Sequence, residues 1–181
     1  PNNNHPTELK KDEQQRIISF KDDEFYRPFS TCLFLLEALT LYSKSNKSLN
    51  FFDFGANNLD NYIYLNRYLK NWKYTYHDLP QYNKIVTEVI NEKQLENIKV
   101  SDDLNFDHAP YDFAFFGSSI HYVKNYKTTL KKFFENKVKN IIFSHTPFYM
   151  SDEMNNDIVL KQLNIHPTIN YAYLFNYKNF L

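Results

Sequence analysis

The stretch that most constrains this chain is Leu49 to Tyr62, LNFFDFGANNLDNY. Its apolar run Phe51–Phe52–Asp53–Phe54 stops at Gly55, a polar loop follows, and Leu59, Tyr62, Ile63 and Leu69 then recur at helical spacing. Strand, tight turn and helix in that order make the opening of an α/β nucleotide-binding unit. Gly55 lets the backbone turn sharply at the strand's carboxyl end, and the next helix points its free N–H groups at whatever sits there. Taken alone, the stretch also fits an ordinary βα turn.

The rest of the chain repeats the rhythm. Residues 1–48 read as a polar arm, with Asn2 to Asn4 at its start, followed by a helix over Phe29 to Tyr42 that packs on the domain. After the opening unit, whose helix is expected to reach Lys70, Lys73–His77 reads as a second strand and Pro80 opens a helix. Ile98–Val100, Tyr111–Phe116 and Ile141–Phe143 read as strands three to five, with a helix marked by Tyr126, Leu130, Phe133 and Phe134 between the last two. Apolar strands alternating with helices predict a parallel sheet covered on both faces. Ile158–Ile165 and Tyr171–Phe175 are separated by too short a gap for a crossover helix, so they are expected to pair antiparallel. The fold class expected is therefore α/β, five parallel strands plus an antiparallel C-terminal pair, over residues 49–181.

Composition excludes several partners. With 181 residues the chain suits one domain with a single sizeable core. Twenty-one basic and 21 acidic residues cancel, so no global field draws the protein to nucleic acid or to an acidic membrane. Its 17 Phe and 15 Tyr fall at core spacing rather than in a basic stripe, which also argues against stacking on nucleic acid. The lone Cys32 permits no internal disulfide and fits a reducing cytoplasm. The run around it is too short to span a bilayer, and no signal peptide is read at Pro1. Because the chain starts at Pro1 and stops at Leu181 in what reads as a helix start, a trimmed C-terminus is expected.

Ligands of open α/β sheets bind outside the carboxyl ends of the strands. The residues expected there are Asp53 and Gly55, Asp78, Asp102 and Asp103, Gly117 to Ser119, and His145 with Thr146. Asp78 lies 23 positions after Gly55, about where a carboxylate grips a ribose hydroxyl, and could equally cap the helix at Pro80. No phosphate loop, H-E-x-x-H helix, structural zinc set or Gly-x-Ser-x-Gly elbow is present, and no metal is implied.

In this order the residues resemble the class I S-adenosylmethionine (SAM)-dependent methyltransferases, and more narrowly a methyltransferase family encoded among bacterial lipopolysaccharide and capsule biosynthesis genes. Asp53 to Tyr62 fits that family's D-F-G-G-G-x-G-x-x-Y-like opening without a gap, and Asp78–Leu79–Pro80 matches its acidic residue before proline. Tyr111 to Val123, Thr146–Pro147–Phe148, Lys161–Gln162 and Asn170–Tyr171–Ala172 follow in sequence. Ala56, Asn57 and Leu59 stand where the family usually has glycine, His121 replaces a Gln, and His145 an Arg. The resemblance implies a SAM-dependent O- or N-methyltransferase acting on a sugar, activated sugar or glycan intermediate. It places Asp53, Gly55 and Ala56 near the methionine moiety, Asp78 at the ribose, and Asp102 or Asp103 at the adenine edge. It turns Ser118, Ser119, His121 and Tyr122 toward the acceptor. Histidine suits proton removal near neutral pH, so His121 is the favoured base and His145 the second. The competing readings are a non-catalytic member kept for partner binding in glycan assembly, and an NAD-linked oxidoreductase. The latter predicts further parallel βα units after the fifth strand.

Overall fold

A computed structural model describes residues 30–44, 48–104, 106, 110–163 and 169–180. The polar arm expected before Phe29 lies outside them. In chain order the elements are α1 (Ser30–Ser43), β1 (Leu49–Phe54), α2 (Asp60–Asn66), β2 (Trp72–His77), α3 (Pro80–Lys93), β3 (Ile98–Val100) and β4 (Phe113–Gly117). A 3₁₀ turn (Ile120–Tyr122), α4 (Tyr126–Glu135), β5 (Asn140–Ser144), β6 (Phe148–Tyr149), β7 (Ile158–Leu163) and β8 (Ile169–Asn176) complete them, with a last 3₁₀ turn at Tyr177–Asn179.

The five expected strands form one sheet of order β3-β2-β1-β4-β5, parallel throughout. β1 lies at its centre, and its two faces are both apolar because side chains alternate along a strand. Phe51 stacks on Tyr74 at 5.5 Å on the face covered by α1, α2 and α3. Phe52 meets Phe133 of α4 edge-on at 5.3 Å on the other face. Leu35 and Leu39 of α1 are fully buried, so the N-terminal helix packs on the core as the sequence suggests.

Three details differ from the sequence reading. α2 ends at Asn66 rather than near Lys70. The chain leaves it through a tight turn in which the N–H groups of Tyr68 and Leu69 both donate to the Leu65 carbonyl, keeping Leu69 buried without further helix. Between β3 and β4 the described residues contain no helix, and Phe106 fills that face instead, within 5.7 Å of Phe52 and 5.0 Å of Phe133. Finally, β7 and β8 pair antiparallel as expected, but β6 joins β8 in parallel to make a second, three-stranded sheet. Two residues carry no periodic signal from which β6 could be read.

Phe133 also contacts Phe54 and Phe116, so four aromatic rings close on it. Phe133→Ala should therefore cost about 3–5 kcal/mol of unfolding free energy, measured by urea denaturation. A loss below about 1 kcal/mol would mean the ring cluster repacks around the void.

Candidate active site

The carboxyl ends of β2, β1 and β4 are tied together by backbone geometry. Gly55 has φ of +64° and Asn57 φ of +60°, so the loop after β1 makes two left-handed steps. Glycine takes that conformation freely and asparagine tolerates it, so Asn57 preserves the loop path where a second glycine would be usual. The N–H groups of Gly55 and Ala56 both donate to the His77 carbonyl, at 2.8 and 3.3 Å. Asn57 N–H donates to Asp78 Oδ2 at 2.6 Å, and Leu79 N–H to Asp78 Oδ1 at 2.6 Å. On the other side Ser119 Oγ donates to the Phe54 carbonyl at 2.8 Å. A Cβ at position 55 would lie 2.5 Å from the Ser119 Cβ, so only glycine fits.

Above these ends opens a cavity of about 1140 Å³. Phe54, Gly55 and Asn57 from the first loop, with His77, Asp78 and Leu79 from the second, form one end. Gly117 to Ser119 and Tyr122 to Lys124 form the other, and Val159 with Ile169 to Tyr173 close it from the C-terminal sheet. The volume exceeds the ~300–1,000 Å³ usual for a single ligand and leaves room for two reactants.

Of the residues expected at the site, Gly55, Asp78, Gly117, Ser118, Ser119 and Tyr122 line this cavity. The carboxylate of Asp78 does not bond the α3 helix as an N-cap; Leu79 holds that position with no side-chain cap. Asp53, Ala56, Asp102, Asp103, His121, His145 and Thr146 do not line it. Asp53 shares the Phe51 face of β1, where it is buried and receives hydrogen bonds from Tyr74 and Asn61. Burial, and secondarily the nearby charge of Asp78, push its carboxyl up to about 6 despite those bonds. Asp102 is exposed and accepts from Asn83 Nδ2 at 3.1 Å, while Asp103 is exposed beyond it. His121 is buried against Tyr122, ring centroids 4.1 Å apart, with its Nδ1 unpartnered, and burial holds its pKa below the ordinary histidine value. His145 sits at φ +51° on an exposed turn, its Nδ1 2.9 Å from Ser144 Oγ. Leu59 is fully buried in the core rather than facing the loop.

Two features escaped the sequence reading. Asn83 is buried, receives the Asp78 N–H at 2.9 Å and donates to the Ser101 carbonyl at 3.1 Å, locking the ends of β2 and β3. His77 lines the cavity and places its Nδ1 2.7 Å from the same carbonyl. A carbonyl only accepts, so Nδ1 is the donor in this contact. Proximity of His77 to the Gly55–Asp78 pair in sequence was the available signal.

No family model matches the sequence, and no curated protein sequence matches it. Solved structures do. The N-terminal domain of EvdMO1, crystallised in the presence of S-adenosylhomocysteine (SAH) and D-fucose, superposes with a TM-score of 0.61 at 12% identity, covering 96% of this chain and 82% of that one. The same domain with SAH bound gives 0.58 at 13% identity, covering 97% and 84%. The CurJ carbon methyltransferase gives 0.51 at 9% identity, covering 79% and 54%. This is the Rossmann-like methyltransferase fold. Among the described residues no helix is long and apolar enough to cross a membrane, and no cluster of three or more His, Cys, Asp or Glu is placed to hold a metal.

Gly55→Ala forces a side chain into the left-handed region, costing roughly 1–2 kcal/mol, and drives its Cβ into Ser119. Melting should fall accordingly, and adding Ser119→Gly should recover the part due to the collision. The two buried titrating groups carry opposite pH signatures. Asp53 binds its proton more tightly folded than unfolded, so the wild type loses stability as pH rises from about 3.8 to about 6. His121 binds its proton more weakly folded, so stability is lost as pH falls below 6.5. In urea unfolding, Asp53→Asn should gain on the wild type as pH rises through the first window, and His121→Gln should gain as pH falls through the second. Parallel curves for either variant would show that its group does not titrate differently on folding.

Proposed function

We propose that this protein is a SAM-dependent methyltransferase whose acceptor is a sugar, an activated sugar or a surface-glycan intermediate. The observation that carries the reading is the position of Asp78. It closes β2 beside the left-handed Gly55–Asn57 loop, at the cavity that opens where the strand order reverses between β1 and β4. Ligands of open α/β sheets bind at that switch point. Two Asp78 oxygens accept from backbone N–H groups, and a carboxylate has about four acceptor positions, so capacity remains for ribose hydroxyls. Gly55 and Asn57 line the cavity where the cofactor's methionine end would meet the loop, and exposed Leu79 offers an apolar surface to the adenine.

When bound, SAM supplies an electrophilic methyl group, whose transfer depends mainly on alignment of the two reactants. Ser118, Ser119, Tyr122 and the β8 residues Asn170 to Tyr173 lie where an acceptor would be aligned. Tyr122 Oη donates to Gln162 Oε1 at 3.2 Å, which fixes its direction over the cavity. A cytoplasmic setting fits this reading. Support for a sugar comes from the EvdMO1 domain, crystallised with both SAH and D-fucose. The antiparallel β7–β8 pair, in place of further parallel units, supports a methyltransferase over an NAD-linked oxidoreductase. A non-catalytic role is favoured by one observation: neither His121 nor His145 lines the cavity.

Calorimetric titration with SAH and separately with NAD tests the reading. SAH should bind and NAD should not. Asp78→Asn should weaken SAH by about tenfold or more through lost charge-assisted hydrogen bonds. Equal affinity of wild type and variant would remove Asp78 from the cofactor site. SAH binding without methyl transfer to any glycan tried would favour the non-catalytic role.

A further inference from the structure

The chain is electrically neutral, but its charge is unevenly spread. Residues 124–139 hold six lysines (Lys124, Lys127, Lys131, Lys132, Lys137 and Lys139) against one acid, Glu135. Two of the six are engaged: Lys139 with Asp112 at 2.6 Å and Lys131 with Glu135 at 3.6 Å. Among the described residues Lys124 and Lys127 have no carboxylate partner.

Both stand on the α4 side of the cavity, Lys124 in its wall and Lys127 behind it beside Tyr126. Lys124 lines the cavity, the one lysine or arginine to do so among the described residues, and its carbonyl accepts the Tyr173 hydroxyl at 3.1 Å. Lys127 Nζ lies 5.8 Å from the centre of the Tyr126 ring, which packs 5.4 Å from the Tyr173 ring. Asp157, the carboxylate that receives the Tyr126 hydroxyl, also accepts the Asn176 N–H at 2.9 Å and forms no ion pair with either lysine among the described residues. Asp78, the one carboxylate lining the cavity among the described residues, belongs to the other end, at β2. The same cavity is lined by Tyr122, Tyr171 and Tyr173, aromatic surfaces of the kind that pack on the C–H faces of a sugar ring.

We propose that the acceptor is an anionic glycan, a sugar unit bearing a carboxylate or a phosphate, held with its charge against Lys124 at the α4 end of the cavity, with Lys127 behind it adding to the positive field. The proposal rests on the methyltransferase reading above and specifies its acceptor. Lysine receives either anion as a point charge, and the contact is weakened by salt at this exposed site.

The test uses the full chain in two stages. SAH is titrated first into wild type and into Lys124→Gln/Lys127→Gln. A short oligogalacturonate, glucose 1-phosphate and a neutral malto-oligosaccharide are then titrated into the SAH-loaded proteins. The double variant should bind SAH as the wild type does. At least one anionic probe should bind wild type, lose about tenfold in the variant and weaken as salt rises, while the neutral glucan binds far less. Which anionic probe binds tells carboxylate from phosphate. The proposal is overturned if neither anionic probe binds, if the neutral glucan binds equally, or if the variant retains full affinity. A fall in SAH affinity in the variant also overturns it, because Lys124 would then be serving the cofactor's own carboxylate. Tighter binding of single-stranded DNA than of the uronate would point instead to nucleic acid. If wild type fails to bind SAH, the cofactor reading falls, and the charge-dependent sugar titration, repeated without SAH, still decides for or against the lysine site.

Discussion

Ser119 occupies the space where a side chain on residue 55 would begin, and much of the carboxyl edge of the sheet follows from that closeness. The β1 loop has to pass under the β4 loop, and it does so with its own N–H groups committed to β2 at the His77 carbonyl and the Asp78 carboxylate. The ends of three neighbouring strands are thereby held in one plane of contact. Asn57 supplies the second left-handed step without a second glycine.

Much of the fold was legible because a parallel sheet covered on both faces writes itself as short apolar runs between helical patterns. All five strands, their parallel sense and the antiparallel pair after them could be read that way. The small elements could not. β6 is too short for any periodicity, and Phe106 replaces a helix through tertiary packing that no local pattern announces.

The site was legible by strand end but not by direction. Knowing that Asp53, Asp78, Asp102, His121 and His145 cluster near one edge does not say which way each side chain leaves the backbone. Asp53 alternates with Phe52 and Phe54 and so shares the α1–α3 face with Phe51. His121 turns inward with the 3₁₀ segment, and His145 turns outward through a left-handed residue. The wall contributed by Ile169 to Tyr173 depends on how the C-terminal sheet docks, which is a property of the assembled molecule.

Within the five-stranded sheet β3 is the shortest strand and an edge. It has three residues, bonds only to β2 and is partly exposed along its length, while β1 is flanked on both sides and almost wholly buried. Amide hydrogens of Ile98 to Val100 should therefore exchange with solvent well before those of Phe51 to Phe54, since local opening starts where buried contacts are few. The buried Asn83 bridges that outer strand to Asp78 at the cavity's edge. Any contact that steadies Asp78 would therefore also restrain the breathing of the sheet's far margin.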